Sequence, residues 1–362
     1  VKLAFHIDTT LDDDITATWR VFVAGLDDPH YTHDPAWASV LVDSHVARPR
    51  TPVFTWVTSD GELSLAATGV RQHSPRPGLA YYDFGRGPAF RDVSVFRTWI
   101  HWLRSQLAHD AVYIRMAPYR RLADGGDEVE AILMDEGFAR DVQTGTWATL
   151  MVDLQRTPEE LRASFQRQTR QNLGRCHRIG LHAAERDEPT GWEAFCSLYA
   201  GLSRRVGLLP LHVQDLRSLH EHWFAGGPGG TVLIGTLEDR PIVGAIVLLH
   251  GPRAYYLTSA AVRNSKGLAP GFCLPWDAML YAQRHECLLL DLCGYSLTAG
   301  AGDPLHGVNR FKRGFVPGVT PVEYCAAHDL IERPRTYATI SALRRAKDRM
   351  HHYLQTPHPD AD

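Results

Sequence analysis

The chain has 362 residues, enough for about two domains. Lys and Arg number 38 against 41 acids, a net charge of −3, so no global basic surplus marks a nucleic-acid binder and any basic surface has to be local. A hydrophobic share of 44% is that of an ordinary globular protein, and the absence of any run of 18 apolar residues argues against a membrane span. The cysteines at 176, 196, 273, 287, 293 and 325 show no CxxC spacing and read as reduced, buried thiols of a cytoplasmic protein. No histidine falls in a metal-ligand spacing, and the opening VKLAFHIDTTLDDD is too acidic for a signal peptide. The expectation is a cytoplasmic enzyme or binding module without a metal.

In chain order, a short strand at Leu3-Phe5-Ile7 precedes a helix near Ile15 to Val23, and Pro35-Ala-Trp37 opens another helix to about His45. Val53–Val57 and Leu63–Val70 flank a Ser59-Asp-Gly-Glu62 turn and read as a hairpin. Tyr81-Tyr-Asp-Phe84 is the next strand, Gly85-Arg-Gly-Pro88 a sharp turn, and Val93–Leu107 a strongly apolar helix. Ala111–Met116 is a strand, Val129–Glu136 a helix stopped by Gly137, and Trp147–Leu154 a further strand. Thr157-Pro-Glu-Glu160 is a capping box with proline at the first helical position, and its helix runs to about Arg178. That helix carries Arg162, Arg167, Arg170, Arg175 and Arg178, with no acid among them. Two readings stay open, a solvated basic face and a strip that contacts phosphates.

Residues 191–224 give one or two helices, with Arg204 and His212 in the stretch between them, and glycines at 226–230 break the chain before a second hairpin. From there the second half repeats the first: hairpin, then Ala254-Tyr-Tyr in the place of Ala80-Tyr-Tyr, then turn, helix and strand. The repeat consists of a strand at Ala254–Val262, a turn through Asn264, Gly267 and Pro270, a helix from about Gly271 to His285, and a strand at Cys287–Leu292 closed by Gly294. Asn264-x-x-Gly267-x-Ala269 is either a plain turn or a cradle that presents helix N–H groups to a phosphate. A last strand at Thr320–Cys325 and a basic helix from Arg335 to about Leu354 follow, and 355–362 read as a disordered tail.

Strand, glycine turn, helix, strand is the core of the acyl-CoA N-acyltransferase (GNAT) fold. With the Leu-Ala-Pro turn, Leu274-x-Trp276-x-Ala278-Met279, Asp291-x-x-Gly294 and Phe311-Lys312-x-x-Phe315, the chain resembles the FemABX family over nearly its whole length. Members of that family are tRNA-dependent aminoacyltransferases, best known for building peptidoglycan cross-bridges. The resemblance implies an α/β (α+β) fold of two tandem GNAT-like lobes, each a mixed, mostly antiparallel sheet flanked by helices. It divides the chain at 1–148 and 149–325, with 326–354 returning to the first lobe. It also implies an aminoacyl-tRNA as co-substrate, no bound cofactor and direct transfer to an amine. Phe311 and Lys312 would meet the tRNA 3′ end, flanked by Arg310 and Arg313. The five helix arginines, Asn264 and Gly267 would hold the rest of the donor.

Transfer from an ester to an amine needs a neutral amine, a donor for the oxyanion and a proton for the leaving oxygen. Lys312 can supply a fixed cation, although a plain surface lysine is the bland alternative. Only four lysines (2, 266, 312 and 347) stand among the 38 basic residues, which suggests a place where a compact ammonium is wanted. Tyr256 aligns with a tyrosine that faces the family's reaction centre, and a core aromatic is the alternative. Asp291 ends a central strand, where it serves either a cleft or a structural hydrogen bond.

The chain departs from the family where a cell-wall precursor would be held. Ala117 stands before Pro118 in place of an acid, the helix after Trp37 has no lysine, and the stretch before the second hairpin has His212 and Asp215 but no tyrosine. The remaining candidates for acceptor binding are Arg115, Arg204 and His212. The expected acceptor is therefore a small-molecule amine of specialised metabolism. The rival readings are an acyl-CoA or carrier-thioester N-acyltransferase, an ordinary cross-bridge enzyme, and a non-catalytic RNA-binding module.

Overall fold

The computed structural model describes residues 2–43, 49–74, 77–141, 147–206, 213–225, 227–262 and 268–342. The first sheet grows from a hairpin whose turn residues Asp60 and Gly61 have φ of 50° and 92°, the mirror-turn geometry that suits strand twist. Its strands are β1 (Leu3–Asp8), β2 (Arg50–Ser59), β3 (Glu62–His73), β4 (Ala80–Asp83), the short β5 (Ala89–Phe90), β6 (Ala111–Met116) and β7 (Ala139–Arg140). Neighbours pair antiparallel except β4 and β6, which run parallel, and β5 pairs with β3. The helices are α1 (Asp13–Ala24), α2 (Ala36–Asp43), α3 (Val93–Leu107) and α4 (Gly126–Asp135). The i, i+3, i+4, i+7 positions of α3 place Phe96, Trp99, Ile100 and Leu103 in the core against the sheet.

The second sheet has the order β10-β11-β12-β13-β14-β9. The single strand expected over 147–154 is two: β8 (Trp147–Thr149) and β9 (Met151–Asp153), separated by buried Leu150 and committed to different sheets. The single helix expected from 157 to 178 is also two, α5 (Pro158–Ser164) and α6 (Arg167–Arg178). The break has a cause in packing. Phe165 and Gln166 take extended ψ values of 154° and 147°, Phe165 sinks against Phe315 with ring centroids 5.1 Å apart, and the Gln166 N–H donates to the Gly314 carbonyl at 2.9 Å. Then follow β10 (Ala183–Glu185), α7 (Pro189–Val206), α8 (Val213–Leu219), β11 (Gly230–Leu237), β12 (Arg240–His250), β13 (Arg253–Ala261), α9 (Cys273–Arg284), β14 (Leu289–Asp291) and α10 (Pro304–Arg313).

Each lobe is thus a mixed, mostly antiparallel sheet flanked by helices, and each contains one parallel pair, β4 with β6 and β13 with β14. Two strands that follow the second lobe tie the lobes together. β15 (Val322–Tyr324) pairs with β8, and β16 (His328–Ile331) enters the first sheet between β6 and β7. The lobes also share packing. Tyr31 and Trp37 of the first half lie edge-on to Trp223 of the second, and the Ser218 hydroxyl donates to the Val40 carbonyl at 2.8 Å.

Candidate active site

The site begins where the parallel pair of the second lobe comes apart. β13 and β14 pair only over Arg253–Leu289, Ala254–Leu290 and Tyr255–Asp291. Beyond that, β13 continues along β12, while the chain after Asp291 turns to β8 and β9, with Leu292 N–H on Leu150 O at 3.0 Å and Tyr295 N–H on Ala148 O at 2.8 Å. A strand with one bonded edge thus opens toward the segment 292–295.

α10 closes the far side of that segment. Asp303 caps it, accepting from Leu305 N–H at 2.7 Å, with Pro304 at the first position. Asn309 pins it by two bonds to the Ser296 backbone, and Phe311 packs on Phe272 at 5.0 Å and on Phe315 at 5.4 Å. Phe311 is therefore an anchor that orients its neighbour. Lys312 donates from Nζ to the carbonyls of Cys293 and Gly294 at 2.7 and 2.6 Å, at the opening itself. Burial lowers its pKa from the ordinary lysine value, while the nearby Cys293 and Asp291 act the other way. Arg313 holds the Tyr295 hydroxyl at 2.7 Å, and Arg310 lies exposed on the same last turn.

Asp291 is buried at the end of β14. One carboxylate oxygen accepts from the Thr149 hydroxyl and from Cys293 N–H at 2.7 Å; the other faces the Tyr119 hydroxyl at 3.5 Å. Burial raises its pKa, against those bonds and the nearby Arg253. Tyr119 belongs to the first lobe and stacks on Tyr324 at 3.9 Å and His30 at 4.1 Å. Arg253, 4% exposed, donates to the Tyr119 hydroxyl at 3.0 Å and pairs with Asp28, which also takes Arg121 at 2.7 Å and Tyr324 at 3.2 Å. A continuous polar chain thus runs from Lys312 and Asp291 through Tyr119 and Arg253 to Asp28. It ends at a first-lobe cavity of about 540 Å³ between the Gly25–Asp28 turn, Pro88–Arg91 and Tyr119–Arg121.

The expected residues divide in three ways. Lys312 and Asp291 lie at the opening, Phe311 and Arg313 anchor the helix end beside it, and Arg310 is exposed on the same turn. Arg162, Arg167, Arg175 and Arg178 are exposed and have no ion-pair partner among the described residues, while Arg170 turns back onto the carbonyls of Ala163 and Phe165. The N-terminal end of α6 abuts the C-terminal end of α10 through the Gln166–Gly314 bond, and the other end of α6 reaches the 269–270 backbone through Cys176. Arg115 lies elsewhere, bonded to Asp329 at 2.7 and 2.8 Å and to Asp141 at 2.7 Å, and does not line the cavity. Arg204 is exposed near the end of α7, also away from the cavity. Tyr256 is buried on the α9 side of the sheet with Cys273 and Trp276, the core-aromatic alternative, and it is Tyr255 that faces the first lobe by donating to Pro29 O at 3.1 Å. Asn264, Gly267 and His212 lie outside the described residues. Sequence reading missed Asp28, Tyr119, Arg121, Arg253 and Tyr324. Their only local signal is an arginine standing immediately before the Ala254-Tyr-Tyr strand.

Buried histidines line the lobe junction. His33 accepts the His30 N–H at Nδ1 (3.2 Å) and meets the Arg86 carbonyl through Nε2 (3.1 Å). Burial depresses both His33 and His250 to about 4, and His30 well below its ordinary value. The unfolded chain takes up these protons first, so the histidines favour folding fully above about pH 6.5, and that contribution is lost as pH falls toward about 4. Buried Asp277 and Asp291, whose pKa values burial raises, titrate with the opposite sign. The informative quantity is therefore a difference between chains. Urea melts of His250→Asn should show a shallower loss of stability than the parent between pH 6.5 and 4, and superimposable slopes would remove His250 from this account.

Two lobes of this design, each with its parallel pair, have the architecture of a tandem GNAT fold. The second lobe matches the family described as "Acetyltransferase (GNAT) domain" over residues 161–313. Among solved structures, FemX superposes with a TM-score of 0.77 at 15% identity, covering 94% of this chain and 100% of its own. The tandem GNAT protein from the clavulanic acid biosynthesis pathway gives 0.56 at 16% identity, over 91% of this chain and 98% of that one. The C-terminal domain of a putative lysylphosphatidylglycerol synthetase from Agrobacterium fabrum gives 0.50 at 12%, over 88% and 92%. The architecture of this chain is the FemX-like, tandem GNAT one. No curated protein matches it in sequence. Among the described residues no helix is long and apolar enough to cross a membrane.

Proposed function

We propose that the protein forms an amide bond by moving an aminoacyl group from an aminoacyl-tRNA to the amine of a small molecule. The observation that carries this reading is the placement of Lys312. Its ammonium is fixed by two carbonyls at the mouth of the split strand pair, and its helix end abuts the start of a helix whose Arg167, Arg175 and Arg178 are exposed and have no ion-pair partner among the described residues. At 1.5 Å per residue the twelve residues of α6 span about 18 Å, running from the Lys312 end of the cleft to the backbone before α9. Unpaired arginines along such a track suit a phosphodiester backbone. In this reading 149–325 is the donor lobe, and 1–148 with 326–354 is the acceptor lobe.

The acceptor sits in the 540 Å³ cavity. Its walls mix Arg91, Arg120 and Arg121 with Asp27, Asp28 and Asp124, which suits a compact molecule bearing charges of both signs better than a diphosphate-linked precursor. The clavulanic acid pathway named for one similar structure is in keeping with a role in specialised metabolism. A thioester donor is the second reading, favoured by the acetyltransferase-type match over 161–313. The deciding experiment incubates the protein with charged tRNA, labelled amino acids and a panel of amines that includes a uridine-diphosphate muropeptide. Product should form with a small amine and disappear after RNase. Product that survives RNase and requires acyl-CoA would move the assignment to the second reading.

A further inference from the structure

We infer that Tyr119 relays the proton of the attacking amine from the first-lobe cavity to Asp291, which makes Asp291 the general base of the transfer. The inference rests on the reading just given only in placing the amine in that cavity.

Tyr119 is the cavity residue that reaches the transfer centre, since it lines the cavity and its hydroxyl faces Asp291 Oδ2 at 3.5 Å. The direction of its proton follows from its other partner. Arg253 is a donor only and gives Nη1–H to the Tyr119 oxygen at 3.0 Å, so the phenolic hydrogen points to an acceptor; Asp291 Oδ2 is one, and the oxygen of Tyr324, whose own hydroxyl donates to Asp28, is the other. The second lone pair of the Tyr119 oxygen is left for an amine N–H from the cavity. Asp291 is prepared to receive the proton at Oδ2. Its Oδ1 is taken by the Thr149 hydroxyl and Cys293 N–H, while among the described residues Oδ2 has only the Tyr119 hydroxyl as a hydrogen-bond partner. Burial raises its pKa above the ordinary carboxylate value, which makes it a better base. The 3.5 Å separation is of the kind that shortens once substrate is bound.

The other groups around the cavity are less suited. His33 is engaged at both ring nitrogens. Asp28 is already held by Arg121, Arg253 and Tyr324, so its oxygens are taken. Asp27 and Asp124 stand exposed at the mouth, in contact with bulk water.

The step balances as follows. The acceptor enters as an ammonium, one N–H bond breaks, its proton passes to the Tyr119 oxygen, and the Tyr119 proton passes in concert to Asp291. The freed nitrogen pair attacks the donor carbonyl, a C–N bond forms and the bond from carbon to the leaving ribose oxygen (or thioester sulfur) breaks. The second amine proton goes to that leaving atom. Asp291 then returns its proton to solvent.

The test measures transfer from a mixed pool of labelled aminoacyl-tRNA to glycinamide, across pH and in mixtures of H2O and D2O. Tyr119→Phe keeps both ring stacks and should lower kcat by about 10²–10⁴-fold with little change in the KM for glycinamide. It should also lose the acid limb of the wild-type pH profile. The wild-type proton inventory should curve, with two protons in flight, and become linear in the variant. Wild-type kcat and an unchanged acid limb in Tyr119→Phe, or a loss confined to KM, would overturn the relay. If that variant fails to fold, a linear inventory in the wild-type protein does so alone. The same series with acetyl-CoA as donor reads the relay if the tRNA assignment fails. A protein that transfers from neither donor sinks both ideas, whereas a normal Tyr119→Phe sinks the relay only.

Discussion

Replacing Lys312 with methionine should slow transfer by about 10²–10³-fold, the scale of one lost oxyanion donor. Methionine keeps the stem and removes the ammonium. In the structure that ammonium is held by two carbonyls, so two of its three N–H bonds are spent on position and the third is left for a reacting oxygen. Lys312→Arg separates charge from geometry. A planar guanidinium cannot reproduce a compact three-donor head between two adjacent carbonyls, so the arginine variant should recover little activity. The variants are compared by single-turnover transfer at saturating donor. Wild-type turnover in Lys312→Met would reduce this residue to a prop for the 293–294 backbone. The change should also cost some stability, because the Cys293 and Gly294 carbonyls lose their donor.

The second large effect is structural. Arg253→Met should destabilise the protein by about 3–5 kcal/mol, the scale for removing one partner of a largely buried ion pair. Asp28 would keep Arg121 and Tyr324 but lose its closest charge, and the Tyr119 hydroxyl would lose its donor. A hydrophobic replacement of both partners is often far milder than removal of one, so Arg253→Met with Asp28→Leu should regain part of the loss. Urea unfolding of the two single variants and the double gives the coupling directly. A loss of less than about 1 kcal/mol in Arg253→Met would place the cluster among the weak exposed pairs.

The elements that carry local signals were legible. α3 and the capping box at Thr157 fall where apolar spacing and cap chemistry put them, because those signals act within a few residues. The strand, turn, helix and strand that end at Asp291 were legible from their repetition in the two halves, although not that the two strands run parallel. What escaped depends on partners distant in sequence. Nothing local to Phe165 says that a helix must stop there, since the reason is Phe315, 150 positions later. Residues 304–313 show only three apolar side chains, so a helix held by Asn309 and Phe311 stayed hidden behind its basic end. Arg115 looked like a ligand-binding cation because its partners, Asp141 and Asp329, come from other strands and loops. The polar chain from Asp28 to Asp291 joins residues whose sequence separations reach 225, and no spacing rule reports such a set.

The entry of β16 between β6 and β7 also bears on how the protein is made. A ribosome that has completed the second lobe has not yet delivered residues 328–331, so the edge of β6 waits uncovered while the whole second lobe is made. Until then the nascent first lobe offers a bare strand to any neighbouring chain. Truncations just before β16 should therefore collect in the insoluble fraction even though every residue of the candidate site upstream of the cut is present.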